Sequence, residues 1–86
     1  MSYFEDNIFP GEQGMVFKIN TKDSQDIAQV KAMLSDLPQI KSLEFDEAVY
    51  PHEMRVITSE TLNVKDLQNK LIPHRFHALP KTYSKL

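Results

Sequence analysis

The stretch MVFKINTKDSQDIAQVKAMLSDLPQIKSLEFD, residues 15–46, changes its hydrophobic period twice. Met15, Phe17 and Ile19 alternate with Val16, Lys18 and Asn20, which places the first three on one face of a strand. From residue 27 the spacing becomes three and four. Ile27, Val30, Leu34 and Leu37 then form one apolar stripe along a helix. Asp23 is the predicted N-cap, and Asp26 in the first turn suits the positive end of the helix dipole. Pro38 ends the helix, since it bars the preceding residue from helical geometry. Alternation returns over Ile40–Asp46, with Leu43 and Phe45 facing inward. Strand, helix and strand in immediate succession make a βαβ unit.

The second half repeats the scheme. Residues 46–53 carry a proline among charged side chains and are predicted to be a hairpin loop. Met54–Thr58 is the third strand, alternating at Met54 and Val56. Val64, Leu67 and Leu71 define a shorter helix with Asn63 as N-cap and Pro73 at its close. Phe76–Leu79 is the fourth strand, and Pro80 puts it at a sheet edge, where a missing N–H is tolerated. The order β-α-β-β-α-β predicts a ferredoxin-like α/β sandwich: one four-stranded antiparallel sheet with both helices on one face. This domain is expected to span residues 15–86, with residues 1–14 as an N-terminal extension. The extension holds Tyr3, Phe4, Ile8 and Phe9, and Pro10-Gly11 interrupts any regular element. The predicted sheet has one face without helices, to which Val16 and Ile57 point. The extension either packs there or pairs with a second chain, or it is a flexible tail, as terminal segments usually are.

Composition removes whole classes of chemistry. The 86 residues contain no cysteine, which excludes disulfides, thiolate nucleophiles and thiolate metal sites. Gly11 and Gly14 are the only glycines, so the chain lacks a P-loop, a dinucleotide fingerprint and a nucleophile elbow. Ten basic minus twelve acidic residues give a net charge of −2, too near neutrality to argue for a nucleic-acid partner. The charge is unevenly spread: Glu5, Asp6 and Glu12 precede residue 15, whereas Lys65, Lys70, Arg75, Lys81 and Lys85 face only Asp66 after residue 64. No apolar run is long enough for a membrane span, and the opening residues lack the basic and apolar regions of a leader. The expected location is the cytoplasm, without a membrane partner.

Candidate sites are few. His74 and His77 bracket Arg75-Phe76 and offer two zinc ligands, a weak set by number, and His52 is placed in the opposite hairpin. No Ser/His/Asp set has supporting context, so catalysis is not expected. The predicted outward sheet residues Lys18, Asn20, Arg55 and Ile57 include no aromatic on which an RNA base stacks.

Leu37-Pro38-Gln39-Ile40-Lys41-Ser42-Leu43-Glu44-Phe45 resembles the helix-to-strand signature of heavy-metal-associated domains, the copper-chaperone-like family. Val30-Lys31-Ala32-Met33-Leu34 is similar to the preceding helix segment, and Leu67 through Phe76 resembles the second helix and its following aromatic. The resemblance implies a ferredoxin-like fold and a label of metal binding or metal transport. In that family a Met-x-Cys-x-x-Cys loop between the first strand and first helix chelates the metal. Asp23 and Asp26 stand at the matching positions, in Thr21-Lys22-Asp23-Ser24-Gln25-Asp26. Hard carboxylate oxygens bind soft Cu(I) poorly, two carboxylates are few for Ca(II), and a helix N-terminus opposes a cation. The expectation is therefore a cysteine-less, non-catalytic interaction or regulatory module without a cofactor. Its partner, a protein or a second copy of the chain, would dock on Asp23, Ser24, Gln25 and Asp26, with the basic Lys70–Arg75 end nearby. The competing expectation is a carrier of a divalent metal ion using Asp or His ligands, shared across a homodimer.

Overall fold

In the computed structural model, which describes residues 7–81, the chain runs β1 (Asn7–Ile8), β2 (Met15–Ile19), α1 (Ser24–Leu34), β3 (Ile40–Asp46), β4 (His52–Thr58), β5 (Leu62–Asn63), α2 (Val64–Leu71), a 3-10 turn (Ile72–His74) and β6 (Ala78–Pro80). Among the described residues the fold is mixed α/β, with two helices and two antiparallel sheets. The larger sheet has the order β3-β4-β2-β6. Strands β2 and β3 are joined through α1 and are separated by β4, which pairs with both. Each helix begins at its predicted cap: the Asp23 side chain accepts from the Asp26 N–H, and the Asn63 side chain from the Lys65 N–H.

The core follows from the two periods. Phe17 and Ile19 of β2, Met54 and Val56 of β4, Val30 and Leu34 of α1, and Leu67 and Leu71 of α2 are buried in one cluster. Leu43 and Phe45 pack against it from β3 and stay half-buried, because β3 is an edge strand. Phe76 caps the cluster after the 3-10 turn, where Arg75 takes a left-handed conformation at φ 67°. Pro80 lies in edge strand β6, a place where a missing N–H is tolerated.

Several expectations need correction, among them the fourth strand, which runs from Ala78 to Pro80 and not from Phe76 to Leu79. The single sheet is accompanied by a second, two-stranded one, in which Asn7 pairs with Asn63 and Ile8 with Leu62. Ile8 therefore enters the core and is fully buried, whereas the residues after it do reach the helix-free face: Pro10, Gly11 and Glu12 line a groove with Ile57, and the Gln13 carbonyl accepts from Arg55. The driving force is ordinary: an isoleucine removed from water gains roughly 1.5–3 kcal/mol. Tyr3 and Phe4 lie outside the described residues, as does Lys85. Helix α1 stops at Leu34 with Ser35 as its C-cap, so Leu37 lies beyond the helix and packs half-buried against the core. Strand β4 begins at His52, two residues earlier than predicted, so the hairpin loop is confined to residues 47–51.

Candidate functional site

The loop between β2 and α1, where the resemblance puts a chelating site, is filled with hydrogen bonds of its own. Asp23 Oδ1 accepts the Asp26 N–H at 3.0 Å, and Asp26 Oδ2 accepts the Lys22 N–H at 2.9 Å. The two carboxylates thus satisfy donors at the head of α1 reciprocally, close to a capping box. A cap of this kind contributes about 0.5–2 kcal/mol. Ser24 and Gln25 between them are exposed and make no part of this pair.

Two further contacts fasten the same end of the sheet. Thr21, fully buried, shares a 2.8 Å hydrogen bond between its Oγ1 and His52 Nδ1. Asn20 donates its side-chain amide to the Arg75 carbonyl at 3.1 Å and accepts the His77 N–H at 2.8 Å, clamping the segment after α2. Sequence inspection missed Asn20, Thr21 and His52. The alternation His52, Met54, Val56, Thr58 was the available signal, since all four residues are buried on one face of β4.

His52 is thus a core residue bound to a threonine, not a loop ligand. His74 and His77 are both exposed. Among the described residues no three His, Asp or Glu side chains come together as a metal-holding group. Thr21 and His52 form a hydroxyl–imidazole pair, but a hydroxyl with no exposed surface cannot meet a substrate. Lys70 does not lie beside the Asp23 loop: it reaches Asp36 at 3.3 Å, past the opposite end of α1. Arg75 does approach the loop, through its carbonyl on Asn20. The exposed apolar side chains near this end are Val49 and Tyr50, which precede His52, and Ile72 of the 3-10 turn. The Tyr50 ring meets the His52 ring edge-on at 6.3 Å between centroids.

The helix-free face of the large sheet has a different character. Lys18 and Lys81 both bond to Glu53, at 3.0 and 3.1 Å, and Arg55 lies 3.7 Å from Glu44 across the β3–β4 ladder. Val16 and Ile57 are half-buried there, as expected from alternation. The hydrogen bonds from Lys18 and then Lys81 hold the Glu53 carboxyl below its ordinary value of 4.5. A depressed carboxyl favours the folded state above its unfolded pKa, and that contribution is lost as the pH falls through the folded value. Glu53→Gln is accordingly expected to be less stable than the parent at neutral pH. The gap should close as acid is added below pH 4.5, as urea melts at several pH values would record. A gap that stays constant into strong acid would show that the ion pairs do not act through that charge.

No protein-family model, no curated protein and no solved structure matches this chain. No helix among the described residues is long and apolar enough to cross a membrane.

Proposed function

We propose that this chain is a non-catalytic protein-interaction module with a ferredoxin-like core of the heavy-metal-associated type, and that its β2–α1 loop docks a partner and does not chelate a metal. The strand order β3-β4-β2-β6, with two helices following β2 and β4, is compatible with that core, the β1–β5 sheet being an addition to it. One observation carries the proposal. The Asp23 and Asp26 carboxylates, at the positions of the family's thiolates, are spent on the Asp26 and Lys22 N–H groups. Each carboxylate keeps one oxygen outside these bonds, so an ion there would meet two hard oxygen donors at the positive end of a helix, too few for Ca(II) and poorly matched to Cu(I). The same caps, with the Asn20 clamp and the Thr21–His52 bond, hold the loop in one shape. A loop already ordered loses little entropy on docking. Its exposed Ser24 and Gln25 supply hydrogen-bonding groups.

A photo-crosslinking side chain placed at Gln25 tests this, with one at exposed Lys65 on α2 as the control. In the source cell, a discrete adduct of higher mass is expected from position 25 and not from position 65. The same adducts from both positions, or none from 25, would remove the loop as a docking surface.

A further inference from the structure

Among the described residues, strand β3 is paired on one side only, by β4, and nothing pairs with its other edge. The edge is chemically polarised along its length. At its start stands Lys41, which lines a groove of about 360 Å3 with Ile40, Ser42 and Leu43 of β3 and with Lys31 and Ser35 of α1. Lys31 lies over the Phe45 ring at 5.8 Å, and among the described residues neither lysine pairs with a carboxylate. At its end stand Glu44, Asp46 and Glu47, all exposed. An open edge whose start is basic and whose end is acidic is complementary to itself when a second copy runs antiparallel, because start then meets end.

The geometry points to a symmetric dimer in which β3 pairs with β3 of a second copy, joining the two four-stranded sheets into one of eight strands. The register is centred on Leu43. That centre sets Ser42 across from Glu44 and Leu43 across from its own copy, and it covers the half-buried Leu43 and Phe45. Centring on Glu44 would instead place identical carboxylates opposite each other, which destabilises a ladder. The bulge between Ile40 and Ser42 falls at the ends of the paired stretch, where it does not interrupt the central residues. Lys41 of each copy then lies across from Phe45 of the other, with Glu47 as its diagonal neighbour. The pairing uses a different edge from the β2–α1 loop and does not depend on the docking role given to that loop.

Sedimentation of the full chain at low salt and increasing concentration tests the dimer, with Lys41→Glu and Glu47→Lys as variants. Both positions are exposed, and far-UV circular dichroism checks that both variants fold. The parent is expected to move from monomer to dimer mass as concentration rises. Each variant alone sets like charges together at two symmetric contacts and should dimerise roughly tenfold more weakly. In an equimolar mixture, the dimer of one variant with the other has an opposite-charge pair at both contacts, one of them with reversed sign, and should recover the parent's dimerisation. A parent that stays monomeric throughout, variants that dimerise as the parent does, or a mixture no better than its components would each overturn the proposal.

Discussion

Ile8→Ala is expected to destabilise the folded chain by roughly 2–5 kcal/mol, the cost of removing a fully buried isoleucine side chain from a packed core. Ile8 sits in one cluster with Phe17, Leu62 and Val64 and is shielded from water completely. Its neighbours are held by the short β1–β5 pairing, so they have little freedom to close the cavity. A domain this small has a stability of only about 5–10 kcal/mol, and the substitution would remove a large part of it. Denaturant melts of parent and variant measure the difference. A loss below about 1 kcal/mol is the magnitude of a surface change and would mean that the chain before β2 is not part of the core.

Gly14→Ala should be comparably severe for a different reason. Gly14 has φ 61°, in the left-handed region, and sits immediately before β2. A Cβ at this position would run into the Val56 carbonyl oxygen and approach Ile57 Cγ1 at 3.0 Å. The backbone conformation alone costs an L-residue about 1–2 kcal/mol, and the collision with β4 adds about 1–3 kcal/mol. The carbonyl belongs to a strand in the middle of the sheet and cannot swing aside without breaking its ladder. Gly11→Ala is the internal comparison: its backbone also lies at positive φ, but an added Cβ meets nothing within 4 Å. Thermal melts should rank the two with Gly14→Ala clearly lower. Equal melting temperatures would mean that the contact with Val56 is not the deciding one.

Both substitutions bear on what could be read before the structure was known. Alternation placed Met15, Phe17 and Ile19 on one face of β2, and the helical stripe placed Ile27, Val30 and Leu34 inside, because strand and helix periods act over short windows. Caps were legible for the same reason: Asp23 and Asn63 act on N–H groups two or three residues away. Ile8 was legible as an apolar residue and illegible as a core residue. Its partner Leu62 is far off in sequence, and a two-residue strand has no period to detect. His52 was assigned to a loop because Pro51 precedes it, whereas the β4 alternation continues back through it to the inward face. The candidate site shows the same division. That Asp23 caps α1 was visible. That Asp26 turns back to the Lys22 N–H, and that Asn20 reaches the 75–77 segment, depends on contacts that no local pattern encodes.

Backbone amide spectra of the full chain during stepwise addition of Zn(II), and separately of Cu(I) under reducing conditions, decide whether the acids at the head of α1 are caps or ligands. The Lys22 and Asp26 amides report on the two carboxylates, because each donates to one of them. If the carboxylates serve the helix, both signals stay in place through several equivalents of metal. A saturable one-to-one shift of both amides would mean that the two side chains hold the ion, and the chain would then be a metal carrier after all.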